Sequence, residues 1–200
     1  QTVERLGGGK VKPADIQALK NEGGFNNDWV LSRELLRRRG KEVPLAKVVK
    51  AFQGFYLGKN FDGLIANERF LADKELLEQL AKKFRLAVFT GRPRQEAEFV
   101  LQRFGVRDLL QEVVCMEDVP KGKGKPDPWG LREVSRRLGA SRGAYFGDTL
   151  DDQQAAKAAG LRAGGVLPPQ DQSRELKALL RRAGARKVFG DVNEAMEDWL

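Results

Sequence analysis

Gly147-Asp148-Thr149-Leu150-Asp151-Asp152, directly after the apolar run Ala144-Tyr145-Phe146, is the stretch on which the fold turns. An apolar run that breaks into glycine and acids reads as a buried strand ending in a turn. Gln153 to Ala159 then carries on as a helix closed by Gly160. The same unit recurs outward on both sides. Upstream, Leu86-Ala87-Val88-Phe89 is a strand, followed by a helix through Ala97, Val100, Leu101 and Phe104 that Gly105 closes. Val113 to Met116 is a second strand, with a helix from Trp129 to Leu138 after it. Downstream, strands at Ala163 to Leu167 and Lys187 to Phe189 flank a helix at Glu175 to Arg182. Continuous apolar strands alternating with helices predict an α/β parallel sheet.

The first third has a different texture. Gln1 to Leu6 reads as the end of an amphipathic helix stopped by three glycines, and predicts a segment upstream of Gln1. Pro13-Ala14-Asp15 opens a short helix, Leu31, Leu35 and Leu36 mark another that ends at Gly40, and a third runs from Leu45 to Leu57. No strand is expected before about residue 85. The chain is therefore expected to divide into a helical domain over 1–75 and an α/β domain over 76–200.

Composition narrows the chemistry. The 200 residues fit one domain or two small ones, and 41% hydrophobic content is enough for a core, which excludes disorder along the whole length. No apolar run approaches the ~20 residues of a membrane span. The single cysteine makes no internal disulfide and fits a reducing, cytoplasmic setting. Histidine is absent, which removes Ser–His and Cys–His couples and histidine metal ligands, so chemistry here must run on carboxylates, lysine, hydroxyls or backbone dipoles.

Ligands of open α/β sheets bind at the carboxyl ends of strands. Three strand ends here carry unusual residues. Thr90-Gly91-Arg92-Pro93 offers a hydroxyl and an exposed amide to an anion, and equally fits an ordinary turn. Within Lys121-Gly122-Lys123-Gly124-Lys125-Pro126-Asp127-Pro128, Asp127 suits a helix cap and Pro128 a first turn, which sets Lys125 beside a helix N-terminus; a solvated basic loop is the plainer reading. Asp148, Asp151 and Asp152 crowd the third strand end. Packed like charges call for a cation, and an all-oxygen set suits Mg²⁺. Capping by Asp151 and Asp152 is the alternative, and it leaves Asp148 unexplained.

Taken in order, Thr90-Gly91, then Lys125-Pro126-Asp127-Pro128, then Gly147 to Asp152 with Ala155 to Gly160 behind it resemble the haloacid dehalogenase-like hydrolase superfamily, matching its second, third and fourth motifs. The resemblance covers the whole α/β part, and the helical first third resembles the helical cap of that family. It implies a Rossmann-like parallel sheet with helices on both faces, plus a small cap. It implies a Mg²⁺-dependent phosphatase acting on a small phosphorylated metabolite through an aspartyl-phosphate. Thr90 and Gly91 would bind phosphoryl oxygens, and Lys125 would hold nucleophile and phosphate together. Asp148 would ligate Mg²⁺, and Asp152 would support the metal through a water or orient Lys125. The family's first motif, Asp-x-Asp, occurs nowhere in these residues. The resemblance places that motif on a central strand between those of Thr90 and Asp148, so this strand is expected to belong to the protein and to be missing from the 200 residues. A phosphomutase would use the same motifs. A non-catalytic phosphate-binding protein that lacks its nucleophile is a further alternative, and a dehalogenase is disfavoured by the carboxylate-rich site.

The remaining features are weaker. Asn26, Asn27, Asp28 and Trp29 form a polar stretch in the helical part that could read a substrate, or could simply cap and anchor helices. Arg92, with Arg94, could meet the substrate beyond its phosphate. The net charge of +8 raises nucleic-acid binding as a rival. The basic pairs are scattered over separate helices, with no nucleic-acid motif among them, so they read as solvated faces.

Overall fold

The computed structural model describes all residues from Gln1 to Leu200. The chain divides into two units, Gln1–Arg69 and Phe70–Leu200. No helix is long and apolar enough to cross a membrane.

The first unit is helical: α1 (Thr2–Arg5), α2 (Pro13–Asn21), α3 (Asp28–Arg38) and α4 (Leu45–Tyr56). Its core joins Val3 of α1, Leu19 of α2, Leu31, Leu35 and Leu36 of α3 and Val48 of α4. The leucines of α3 fall at helical spacing and form one buried face. Basic residues gather toward the C-terminal end of α3, and Arg37, Arg38 and the following Arg39 are engaged. Arg37 and Arg38 hold Glu34, Arg38 also binds Glu22, and Arg39 donates to the carbonyls of Gly8 and Lys10. Ion pairs of this kind between exposed side chains are ordinary on a solvated helix face.

The second unit is mixed α/β with parallel strands: β1 (Ala87–Phe89), β2 (Glu112–Val114), β3 (Ala144–Gly147), β4 (Arg162–Val166) and β5 (Lys187–Phe189). Its helices are α5 (Lys74–Lys83), α6 (Arg94–Arg103), α7 (Trp129–Arg137), α8 (Leu150–Ala158), α9 (Arg174–Ala183) and α10 (Val192–Glu197). All five strands overlap the apolar runs, but β2 ends at Val114, two residues short of the expected Met116, because Met116–Asp118 forms a 3-10 turn that Cys115 precedes. Alternation along each strand supplies two faces. Phe89 and Val114 pack with Leu131 of α7 and with Ala155 and Ala156 of α8. Val113, with Cys115 just beyond β2, packs on the opposite side with Ala97 of α6. Val188 of β5 meets Leu176 and Leu180 of α9. Gly130 of α7 lies flat on the Phe89 ring, where a Cβ would come within 2.2 Å of a ring carbon.

Strand pairing is interrupted between β1 and β3, the position at which the resemblance puts the absent central strand. β1 pairs only with β2, and β3, β4 and β5 form a separate ladder in that order. A cleft of about 910 Å³ lies between β1 and β3. Local sequence periodicity marks strands but carries no information on which of them pair.

Two helical details also differ from the sequence reading. α8 begins at Leu150, three residues ahead of Gln153, because Thr149 caps it and Asp152 closes a capping box. The six-residue α10 has too few turns to show a period, and the Asp191 carboxylate caps it.

Candidate active site at the strand tips

Lys125, Tyr145 and Asp152 meet between the carboxyl ends of β1 and β3. The Lys125 side chain is only 10% exposed and that of Asp152 4%. Lys125 Nζ lies 2.7 Å from Asp152 Oδ1 and 3.0 Å from the Tyr145 hydroxyl. That hydroxyl reaches Asp152 Oδ1 at 3.1 Å and the Phe89 carbonyl at 3.3 Å. The ammonium also sits 5.1 Å from the Phe89 ring centroid and 5.6 Å from that of Tyr145, within cation–π range of both.

Local structure dictates these positions. Asp152 occupies the first turn of α8, and its Oδ2 accepts from the Thr149 amide at 3.1 Å and the Thr149 hydroxyl at 2.7 Å. Its other oxygen is thereby aimed at Lys125. Gly147, the last residue of β3, permits this approach: a Cβ there would sit 2.4 Å from the Asp152 Cβ. Gln153, fully buried, donates from Nε2 to the Gly147 carbonyl at 2.8 Å and pins the strand tip from which Asp148 projects. Lys125 precedes Asp127, whose carboxylate accepts from the Trp129 amide at 2.9 Å one residue ahead of the cap position of α7, which Pro128 and not Asp127 occupies. The Lys125–Pro126 peptide is cis.

The electrostatics favour a charged pair. Burial by itself would strip the proton from Lys125, but the facing oxygens of Tyr145 and Asp152 outweigh it and hold the ammonium charged. Burial would likewise raise Asp152, yet the Lys125 charge and the hydrogen bonds from Lys125 and Thr149 bring its carboxyl below the usual value. Burial pushes the Tyr145 phenol upward, with Lys125 pulling the other way, so the hydroxyl stays protonated at neutral pH. The crowding of carboxylates expected at this strand end is therefore relieved at Asp152 by Lys125. Lys123, in contrast, is exposed and pairs with Asp127 at 3.1 Å.

The other strand-tip residues are arranged around this cluster. Thr90 follows the Phe89 carbonyl that Tyr145 binds, and its Oγ1 accepts from the Arg92 amide at 3.1 Å. Gly91 is exposed, is not left-handed, and has nothing within 4 Å of a built Cβ. Neither packing nor backbone conformation therefore calls for glycine at this tip. Arg92 is half-buried and its carbonyl accepts from the Met116 amide at 3.0 Å. Arg94 is tied down by an ion pair with Asp118. Asp148 is exposed at the tip of β3 and Asp151 is buried in the first turn of α8.

In the first unit, the Asn27 carbonyl oxygen accepts from the amides of Trp29 and Val30, so Asn27 caps α3. Asp28 pairs with Lys20 at 3.5 Å, and Asn26 and Trp29 are half-buried beside them. Tyr145 and Gln153 were missed in the sequence. Tyr145 passes for filler in an apolar strand, and its signal is a phenol two residues ahead of a strand-end glycine.

No group of three or more His, Cys, Asp or Glu side chains is arranged to hold a metal ion. Mg²⁺ commonly takes one or two protein carboxylates and completes its shell with water and phosphate oxygens. With both Asp152 oxygens engaged, Asp148 is the strand-tip carboxylate that fits one such position.

Residues 60–166, more than half of the chain, match the sequence family described as haloacid dehalogenase-like hydrolase. The chain is 35% identical to an imidazoleglycerol-phosphate dehydratase of Phytophthora nicotianae over 84% of its own length and 39% of that protein. It is 32% identical to a phosphoglycolate phosphatase of Pectobacterium atrosepticum over 70% of its own length and 61% of that protein. The chain thus spans about half the length of these two curated relatives. The crystal structure of a predicted phosphoglycolate phosphatase from Haemophilus somnus 129PT superposes with a TM-score of 0.74 at 20% identity, covering 100% of this chain and 87% of the other.

Proposed function

The chain belongs to the haloacid dehalogenase-like hydrolase family, and on that premise we propose that it forms the phosphate-binding part of a Mg²⁺-dependent phosphatase acting on a small phosphorylated metabolite. The observation that carries this reading is the buried Lys125 ammonium, held by Asp152 and Tyr145 between two strand tips that bear Thr90 and Asp148. A buried cation costs desolvation energy, and a site that binds phosphate gains from its fixed positive charge.

In this proposal Thr90 Oγ1 and the Gly91 amide bind phosphoryl oxygens. Lys125 neutralises charge that builds on the phosphoryl group in the transition state, and Asp152 and Tyr145 keep its ammonium in place. Asp148 holds Mg²⁺, which when bound supplies electrostatic stabilisation of the transferring phosphoryl group. The attacking carboxylate comes from outside these 200 residues, which hold no Asp-x-Asp. The helical unit acts as a cap, with Asn26, Asn27, Asp28 and Trp29 and the strand-tip Arg92 as candidate substrate contacts.

The test is phosphate release by the protein that carries this chain, measured with and without Mg²⁺ on a panel of phosphate monoesters. Phosphoglycolate and imidazoleglycerol phosphate belong in the panel because relatives carry those names. Release that requires Mg²⁺ supports the proposal. A positional isomer formed in place of free phosphate would make the protein a mutase, and binding without turnover would make it a phosphate-binding protein.

A further inference from the structure

Asp148 is the single residue between the end of β3 and Thr149, the cap of α8. Peptide units are planar, so a residue's two dihedral angles are fixed once the planes on either side of it are held. The direction of its Cα–Cβ bond is then fixed as well. Both planes around Asp148 are held, and by consecutive residues of α8. The plane that follows it contains the Thr149 amide, which donates to Asp152 Oδ2 at 3.1 Å. The plane that precedes it contains the Gly147 carbonyl, which accepts from Gln153 Nε2 at 2.8 Å. Helical side chains lean toward the N-terminus of their helix, so residues 152 and 153 both reach back to the strand tip.

Asp152 has other tasks, because it closes the capping box and pairs with Lys125. Gln153 has none of these. Its side chain is fully buried, Nε2 donates to Gly147, and Oε1 has no hydrogen-bond partner. A buried acceptor without a partner costs about as much as one hydrogen bond contributes. Methionine or leucine would fill the same space without that cost, so net stability does not account for an amide here. The amide supplies direction instead. It holds the carbonyl of a glycine, the residue with the most backbone freedom. Nothing larger fits at 147, where a Cβ would come within 2.4 Å of the Asp152 Cβ. Restraint on this peptide has to come from a neighbour.

We propose, on the assignment of Mg²⁺ to Asp148 made above, that Gln153 is a positioning residue for the metal ligand. Through the Gly147 carbonyl it aims the Asp148 carboxylate and sets the affinity of the strand tip for Mg²⁺. Groups one step behind a metal ligand commonly carry roughly 10–100-fold of metal affinity.

The experiment titrates Mn²⁺ into the protein that carries this chain, without substrate, and reads the free ion by electron paramagnetic resonance. Mn²⁺ takes the same oxygen ligands as Mg²⁺. Gln153→Met removes the amide at nearly constant volume. It is expected to weaken Mn²⁺ binding at least ~10-fold. The Mg²⁺ concentration that half-saturates phosphate release should rise by a similar factor, with KM for the ester unchanged at saturating Mg²⁺. In the metal-free protein the Gly147 carbonyl carbon should move upfield as it loses its donor. A side chain that only fills space would leave Mn²⁺ binding as in the wild type, because methionine fills that space too. Asp148→Asn is the reference. If it abolishes Mn²⁺ binding while Gln153→Met binds as tightly as the wild type, the metal assignment stands and this proposal is overturned. If Asp148→Asn itself binds as tightly as the wild type, both fall together. Should Gln153→Met not fold, Gln153→Leu takes its place. Failure of both to fold would make the amide a support of the fold alone, and would also overturn the proposal.

Discussion

Lys125 Nζ and Asp152 Oδ1 face each other at 2.7 Å across 27 residues of sequence, and their side chains are 10% and 4% exposed. The pair joins the loop ahead of α7 to the first turn of α8. It is also the point where the stability of this unit and its proposed chemistry meet. Removing one partner leaves the other as an uncompensated buried charge, whereas removing both does not.

Lys125→Met is accordingly expected to destabilise the chain by roughly 3–5 kcal/mol. The double variant Lys125→Met/Asp152→Leu should recover part of that loss. Urea denaturation of the wild type, both single variants and the double variant gives the coupling energy directly. Simple additivity would mean that the pair is not ionised in the folded chain.

The same pair sets a pH signature. Asp152 falls below its ordinary 3.8, so its contribution is present above that value and is lost as pH falls through the lower folded value. Lys125 rises above its ordinary 10.5, so its contribution is present below that value and is lost as pH rises through the higher folded value. The stability difference between wild type and the double variant should be flat between about pH 5 and about pH 9 and change only in stronger acid or base. A slope inside that window, seen in thermal melts, would contradict the assignment of charges.

Asp148→Asn should abolish Mg²⁺-dependent phosphate release by the protein that carries this chain, while the melting temperature stays within a few degrees because Asp148 is exposed. Tyr145→Phe keeps the ring over Lys125 and removes the hydroxyl. It should lower kcat by about tenfold with little change in KM, consistent with the loss of one hydrogen bond that positions the ammonium. Wild-type kinetics in Tyr145→Phe would show that Asp152 alone positions the lysine.

Cys115 offers a simple check of the β2 core. It is fully buried, and burial pushes its thiol up to about 11. The folded chain should therefore resist a thiol-specific chromogenic reagent at pH 8, with stoichiometric reaction in denaturant. Rapid labelling under native conditions would mean that β2 and α6 open readily.

Much of this architecture is visible in the chain itself. Each strand is a short apolar run bounded by glycine, proline or acid, and α6, α7 and α9 announce themselves by leucine and valine spacing. The strand tips were legible because Thr90, Lys125 and Asp148 are chemically out of place beside apolar runs. What sequence could not show was non-local. The break between the strands of Phe89 and Tyr145 and the pairing of Asp152 with Lys125 are not written in the local pattern around those residues, and both were expected only through the family resemblance. The early start of α8 was obscured because Asp152 looked like a metal ligand, when its carboxylate also completes the Thr149 capping box.

Asp152 illustrates how little freedom such a site leaves to mutation. One carboxylate closes the cap of α8 with Thr149, holds Lys125, and fills the space that Gly147 leaves open. Asparagine keeps the shape and loses the charge. Glutamate keeps the charge and has one methylene too many beneath a strand tip with no Cβ to give way. Alanine loses all three interactions at once. No single exchange improves one task without harming another, so an exchange at Asp152 is expected to be tolerated best when Lys125 changes with it.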